Sequence, residues 1–319
     1  MADRFIRLAA LLDPARPVAI QTHDYPDIDA VASAWGLASL LEKQGFRSFA
    51  VYRGAIRSRS LNCLVSELGV RLYADPPESL GLQIIAVDGS PANGNVGIYP
   101  GELVGIIDHH WKNAEPKAKF IDLRPELASC SSMIHGYWRE AGETMSMDLA
   151  TALIAGIQSD TDFLSRRASH EDFLAYTELF GVGDFEKASR IVRTVLDLRE
   201  LNLIVKALNA AVVRDGMLWA YILGPCGQEV LAVLAEFVLR TDGLVTAVVA
   251  EHGEGGVHLS IRSKNPAFSA FSLAHRALEG IGAGGGHSHS AGGFVPDEAF
   301  SDEEALRERF FAAARNIST

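Results

Sequence analysis

The side chains with the most chemical capacity in this chain begin with the tripeptide Asp108-His109-His110. Carboxylate and imidazole together are donors for hard or borderline divalent cations. The tripeptide follows the apolar run from Leu103 to Ile107, so it stands at a strand end, where open α/β sheets bind ligands. Comparable donors recur elsewhere. Pro17 to Thr22 reads as a buried strand and runs directly into His23-Asp24-Tyr25-Pro26-Asp27-Ile28-Asp29. Pro26 biases the residue before it away from helix. Either Asp27 or Asp29 can cap the helix suggested by Ile28, Val31, Trp35, Leu37, Leu40 and Leu41. Two carboxylates at i and i+2 diverge and suit two neighbouring cations better than one. The run Leu82 to Val87 ends in Asp88, and the apolar helix Leu149 to Ile157 leads into Gln158-Ser159-Asp160-Thr161-Asp162. Each residue has a plain account alone: Asp27 and Asp160 as helix caps, Asp88 as a turn former, His23 as a satisfied buried histidine. Hard-metal donors at the ends of separate elements point jointly to a metal centre.

The elements that must position these donors alternate. The pattern predicts a helix over 4–12, strands over 17–22 and 47–52, helices over 28–44 and 60–68, then strands over 82–87 and 103–107. Such alternation predicts a mainly parallel sheet with helices on both faces. Helices follow near 130–141, 147–159 and 170–180. An amphipathic stretch over 185–213 is expected to be a helical connector between a first domain, 1–184, and a smaller α/β domain, 214–319. In that domain strands are predicted over 218–223, 244–251 and 257–263, with helices over 227–240, 267–280 and 301–316. The fold class is therefore α/β in both domains, with the active cleft expected between them.

These strings resemble the DHH phosphoesterase superfamily, which includes RecJ-like exonucleases, nano-RNase/pAp phosphatases and family II inorganic pyrophosphatases. His23, Asp27 and Asp29 match its first motif, Asp88 its second, Asp108-His109-His110 its third, and Gly156 to Thr161, with Asp160, its fourth, all in the family's order. Arg262-Ser263 on the run Leu259 to Lys264, and the loop from Gly284 to Gly293, look like the DHH-associated C-terminal domain. Its signature is an Arg-Ser pair on a strand and a later GGGHxxAGG loop. Ile28 stands where a small residue is usual and bulky Trp111 follows the tripeptide; neither removes a ligand, and both bear on the shape of the pocket.

The resemblance implies two cations. One would take His23, Asp27 and Asp88, the other Asp29, Asp88, His109 and Asp160, with Asp88 bridging. It casts Asp108 as a supporting carboxylate and His110 as a donor to the phosphoryl group or a general acid. Oxygen-rich ligation with imidazoles and no thiolates suits Mn2+, two per chain, with Mg2+ or Co2+ as alternatives. Arg262, Ser263, Gly285, Gly286, His287 and Gly292 are expected to bind substrate. Glycine lets backbone N–H groups approach a phosphate closely, and Arg262 can add a bidentate contact. The plain readings are a flexible glycine loop and a surface ion pair for Arg262. His289 is expected at the surface, and His135, His170, His252, His258 and His275 at the surface or in packing. The implied activity is hydrolysis of phosphate esters in short oligonucleotides or pAp-like nucleoside bisphosphates by two-metal water activation. The alternatives are a family II-like inorganic pyrophosphatase, against which the GGGH loop counts, and a non-catalytic nucleotide-binding sensor of the same fold.

Composition bounds the rest. With 319 residues, 48% hydrophobic and 22% charged, the chain can bury two ordinary cores. Its net charge of −11 argues against a partner such as long duplex nucleic acid, which calls for basic stripes. The N-terminus lacks the apolar core of a signal peptide, and no stretch approaches the ~20 apolar residues of a membrane helix. The expected location is cytoplasmic, with no membrane partner and a homodimer left open. Cys63, Cys130 and Cys226 are widely spaced without a CxxC, so neither a disulfide framework nor a thiolate zinc site is indicated. They are expected to act as small buried hydrophobes.

Overall fold

The computed structural model describes residues 4–56, 58–94, 96–110, 117–224, 226, 228–264, 269–286 and 288–315. Trp111 and His287, both singled out from the sequence, lie outside the described residues. The chain divides into two compact units, Met1–Thr194 and Val195–Thr319.

The first unit is built on six parallel strands: β1 (Val18–Gln21), β2 (Ser48–Val51), β3 (Leu72–Tyr73), β4 (Gln83–Val87), β5 (Glu102–Asp108) and β6 (Phe120–Leu123), in the order β3-β2-β1-β4-β5-β6. β1 and β4 are buried along their whole length, as parallel strands covered on both faces must be. The chain steps outward in one direction from β1 to β3 and in the other from β4 to β6. Such a reversal opens a crevice at the carboxyl ends of the two central strands, and His23 and Asp88 follow those ends.

Helices α1 (Arg4–Ala9), α2 (Ile28–Lys43), α3 (Arg59–Leu68), α4 (Cys130–Ala141), α5 (Met147–Thr161), α6 (His170–Phe180) and α7 (Phe185–Arg193) send their buried apolar side chains into one large core. The opposite side of the sheet carries a small cluster of Ala19, Val51, Leu82 and Ile84 under Phe49, Ile98, Tyr99 and Leu103. This differs from the expected helices on both faces. The β4–β5 connection carries only a short 3-10 turn, Pro91–Asn93, so loop residues cover that side. α2 is central and buried on nearly every face, including Ile28. Gly36 brings it close to α4, since a Cβ there would lie 2.8 Å from Ile134, and the Trp138 indole N–H donates to the Gly36 carbonyl at 3.0 Å.

The stretch expected to be a connector is divided. α7 packs on α3 and α5 of the first unit, whereas α8 (Leu198–Asn209) packs on the strand Met217–Ile222 of the second. The second unit contains β7 (Val212–Arg214), β8 (Met217–Ile222), α9 (Gln228–Leu239), β9 (Thr246–Gly253), β10 (Gly256–Ser263), α10 (Ala270–Leu278), β11 (Ala283–Gly286), β12 (Ser290–Pro296) and α11 (Glu303–Arg315). Its sheet order is β11-β12-β10-β9-β8-β7, with β8 and β9 parallel and the other pairs antiparallel. Period-two alternation along the strands sends Leu218, Ala220 and Ile222 to α8 and α9, and Met217 and Trp219 to α10 and α11. Among the described residues, no helix is long and apolar enough to cross a membrane. Cys63, Cys130 and Cys226 are free thiols, the last two buried and Cys63 only partly so.

Candidate active site

The donors predicted from the sequence converge in the first unit. His23 leaves β1 with its Nδ1 2.9 Å from the Asp24 carbonyl. A carbonyl only accepts, so Nδ1 carries a proton in either charge state, and Nε2 is the nitrogen that offers a lone pair to the site once the ring is neutral. That Nε2 is 3.9 Å from Asp27 and 3.9 Å from Asp88. His109 is arranged the same way, with Nδ1 3.3 Å from the Leu127 carbonyl. Its Nε2 lies 3.2 Å from Asp88 Oδ1 and 3.4 Å from Asp160. Asp27 is the N-cap of α2, its Oδ1 accepting from Ala30 N–H at 3.0 Å, yet 54% of its side chain stays exposed. Capping and site duty thus coexist there. Asp160 stands in the last turn of α5, and Asp88 occupies a left-handed turn with φ of 58°.

Asp29 is fully buried in the first turn of α2. Its two oxygens accept from the N–H groups of Cys130 (2.6 Å) and Ser131 (2.9 Å), which are orphan donors at the start of α4. The sequence reading missed this cradle because backbone donors have no residue signature; Ser129, the α4 N-cap, was the available signal. Gly156 of the fourth motif has a matching role. A Cβ there would collide with Ser131 Oγ and sit 2.8 Å from Asp29 Oδ1, so only glycine lets α5 close on this corner.

The donor atoms form overlapping groups, each within 4.8 Å: His23, Asp27 and Asp88; Asp29, His109 and Asp160; Asp88, His109 and His110; and Asp29, Asp88 and Cys130. Asp88 Oδ1 and His109 Nε2 are buried without a hydrogen-bond partner, a costly state for polar atoms. Oxygen and imidazole donors with unpaired buried atoms fit a divalent cation. Cys130, which the sequence reading left out of the site, is held protonated: burial and the charges of Asp88, Asp29 and Asp108 raise its thiol well above the ordinary range.

The electrostatics of the ion-free cluster follow from crowding. Burial pushes the His23 and His109 rings down, but Asp27 and Asp88 around the first, and Asp88 and Asp160 around the second, outweigh it and raise each to about 10. Burial and the charge of Asp88 raise Asp29 to about 7. Burial and then Asp29, Asp27 and Asp88 raise Asp160 well above a normal carboxylate. Protons hold together carboxylates that a cation would otherwise neutralise. Asp108 lies fully buried beside this group and accepts from His110 twice, from N–H at 3.0 Å and Nδ1 at 2.8 Å. It thereby orients an imidazole that is 39% exposed.

A family model for the N-terminal domain of the DHH family matches residues 17–157, from the start of β1 well into α5. An uncharacterized protein of Methanocaldococcus jannaschii is 32% identical over 306 residues, covering 94% of this chain and 63% of its own length. The bifunctional oligoribonuclease and PAP phosphatase NrnA of Thermus thermophilus is 28% identical, covering 93% of this chain and 91% of its own. Residues 17–157 are thus a DHH-family domain, and the DHH phosphoesterase superfamily is the family these likenesses support. In fold it is also similar to an exopolyphosphatase-related protein from Bacteroides fragilis, with a TM-score of 0.79 at 17% identity over 99% of this chain and 98% of that one. The chain thus spans less than two thirds of the archaeal relative and nearly all of the Thermus one.

The second unit holds the residues expected to contact substrate. Arg262, Gly286 and Gly292 line a cavity of about 330 Å³ together with His258, Ser260 and Gly293. His258, expected at the surface or in packing, belongs to that lining. Arg262 stands 3.3 Å from Glu236, the ion pair of its plain reading, while facing the cavity. Ser263 is buried, its N–H donating to the His289 carbonyl at 2.9 Å, and is absent from the lining. The glycine run is no loose loop. β11 and β12 form a hairpin ladder pairing Gly284 with Gly293 and Gly285 with Gly292. One face of it admits α10: a Cβ on Gly284 would meet Ala274 at 2.9 Å, and one on Gly293 would meet Leu278 at 2.6 Å. The other face is open, with no atom within 4 Å of a Cβ on Gly285 and none nearer than 3.8 Å for Gly292.

Proposed function

We propose that this chain is a Mn2+-dependent phosphoesterase that hydrolyses short oligonucleotides and pAp-like nucleoside bisphosphates. The observation that carries the reading is Asp88, whose side chain is 1% exposed, stands between His23 and His109, and keeps one oxygen without a hydrogen-bond partner. A second cation position is favoured by the other donors. On this reading His23, Asp27 and Asp88 hold one ion, and Asp29, Asp88, His109 and Asp160 the other. Two such ions, when bound, neutralise phosphoryl charge and lower the pKa of water at the site.

The chain's own residues supply the rest. The carbonyls of Asp24 and Leu127 fix the proton of each imidazole on Nδ1, which keeps Nε2 aimed inward. The amides at the start of α4 hold Asp29 in one orientation. His110, bonded through Nδ1 to Asp108, presents its other edge and donates to a phosphoryl oxygen, or gives a proton to the departing oxygen as the P–O bond breaks. In the second unit, Arg262 and the open glycine face offer a cation and closely approachable backbone to a phosphate.

Short substrates are favoured by the net charge of −11, which leaves few cations to hold a long polyanion, and by the likeness to an oligoribonuclease and PAP phosphatase along most of both chains. The test is a time course of the Mn2+-loaded and Mg2+-loaded protein with pAp, a dinucleotide, a single-stranded 24-mer and pyrophosphate. We expect kcat/KM for pAp or the dinucleotide to exceed that for the 24-mer by about tenfold, roughly 1.4 kcal/mol, with shallow salt dependence. Processive digestion of the 24-mer, lost steeply in salt, would overturn the short-substrate reading. Turnover of pyrophosphate alone would select the pyrophosphatase reading, and nucleotide binding without turnover the sensor.

A further inference from the structure

Tyr25 lies between His23 and Asp27 with φ of 59°. A bulky aromatic residue takes that left-handed conformation only at a cost, which glycine or asparagine largely escapes. The surroundings enforce it. Tyr25 N–H donates to the Arg53 carbonyl at 3.1 Å. The ring rests on Gly54, where a Cβ would come within 2.9 Å of Cδ1 and 3.0 Å of Cε1. Arg53 is fixed in turn: Nη1 donates to the Gly97 carbonyl at 2.7 Å, and the guanidinium lies over the Tyr99 ring, 5.7 Å from its centroid. Gly97 N–H donates to Asp24 at 3.3 Å. The loops after β1 and β2 are thus tied together beneath one ring.

That ring is 55% exposed. The ring packs on Gly54 along one edge and leaves much of its surface to solvent, and residues held in such strained conformations gather at functional sites. Chain geometry alone keeps the Tyr25 Cα within about 7.6 Å of the Cα atoms of His23 and Asp27. A ribose spans a distance of similar order between a phosphate and its base.

We propose that Tyr25 is a stacking platform for the nucleobase of the substrate, a specificity residue that favours nucleotides over base-free phosphate esters. The proposal rests on reading the chain as a nucleotide phosphoesterase. Bases stack on aromatic side chains without regard to sequence, which suits an enzyme of short, mixed oligonucleotides.

The test is calorimetry on the Mn2+-loaded full chain with AMP and with ribose 5-phosphate, which differ only in the base. Wild type is expected to bind AMP about tenfold tighter. Tyr25→Phe should keep that ratio, and Tyr25→Asn should bring it close to one. Tyr25→Asn should also raise Tm, because asparagine tolerates the left-handed backbone, whereas a merely structural tyrosine would lower it. Equal binding of the two ligands by wild type, or an unchanged ratio in Tyr25→Asn, overturns the platform. A wild type that prefers AMP through Tyr25 yet releases nothing from pAp or a dinucleotide overturns the enzymatic reading and supports the platform as a nucleotide site.

Discussion

The carboxylate–imidazole cluster of the first unit and the glycine hairpin of the second are built on opposite principles. In the first, ionisable side chains from the ends of β1, β4, β5 and α5 are driven into a buried volume until polar atoms such as Asp88 Oδ1 lack a hydrogen bond. In the second, side chains are removed: Gly285 and Gly292 leave a bare rung of the ladder, and Gly292 lines the cavity that Arg262 borders. One site works by concentrating charge and the other by exposing backbone. A cation is the natural complement of the first, an anion of the second, and the two should therefore fail differently when altered.

The largest effect is expected at Asp88. Its φ of 58° suits asparagine as well as aspartate, so Asp88→Asn should leave the turn intact while removing the charge central to the cluster. Bound Mn2+ should fall and kcat/KM drop by a thousandfold or more, about 4 kcal/mol of transition-state stabilisation. Asp27→Asn should cost less, since asparagine keeps the α2 cap and Asp27 is half-exposed. Metal content by elemental analysis beside initial rates decides it. Near wild-type values for both in Asp88→Asn would refute the shared-carboxylate assignment.

Protons compete with cations for the same atoms. His23 and His109, each raised to about 10, and Asp29, raised to about 7, hold protons at neutral pH in the ion-free protein. These folded-state values lie above the unfolded ones, so the protons stabilise the ion-free fold below the unfolded pKa. That contribution is lost as pH rises, through about 7 for Asp29 and about 10 for the histidines. Mn2+ must displace the same protons, so its affinity should climb about tenfold per pH unit for each one released. Titrations at pH 6, 7 and 8, with Tm of ion-free and Mn2+-loaded protein alongside, measure both trends. An affinity flat across that range would mean the histidines are not ligands.

The contrast also explains which site could be read from the sequence. His23, Asp88 and Asp108-His109-His110 each terminate an apolar run, and the reversal of strand order places the ends of β1 and β4 side by side. Chemistry and periodicity there point the same way. The amides of Cys130 and Ser131 that hold Asp29 carry no such mark. β6 escaped the pattern because Asp122 interrupts it, a charge accommodated by Arg124 at 2.6 Å and the Tyr137 hydroxyl at 2.9 Å. β11 and β12 read as a loop because glycine has no strand preference; their ladder is imposed by β10 on one edge and by α10, which only glycine lets so near. The loops that cover the second face of the first sheet follow from strand order, which pairwise periodicity does not encode.

At Arg262 the effect should be intermediate. Loss of a cation that borders the cavity should raise KM for pAp or a dinucleotide about tenfold, with kcat and Mn2+ content little changed. A fall in kcat alone would move Arg262 from gripping substrate to the chemical step.

The smallest effects test the hairpin by adding one methyl group to either face. On Gly293 it points at Leu278, 2.6 Å away, in a fully packed layer. Overpacking of that kind costs about 1–3 kcal/mol, so Gly293→Ala should lower Tm. On Gly292 it meets nothing nearer than 3.8 Å, and the backbone is not left-handed. Alanine there restricts the unfolded chain at no native strain, a gain of about 0.4–1 kcal/mol, so Gly292→Ala should raise Tm slightly. The same methyl fills the bare floor of the cavity and should weaken binding of AMP or pAp. Stability and binding thus move in opposite directions at one residue, and differential scanning calorimetry beside isothermal titration resolves both. If Gly292→Ala binds as tightly as wild type, the glycine face serves the packing of the hairpin and not the approach of a phosphate.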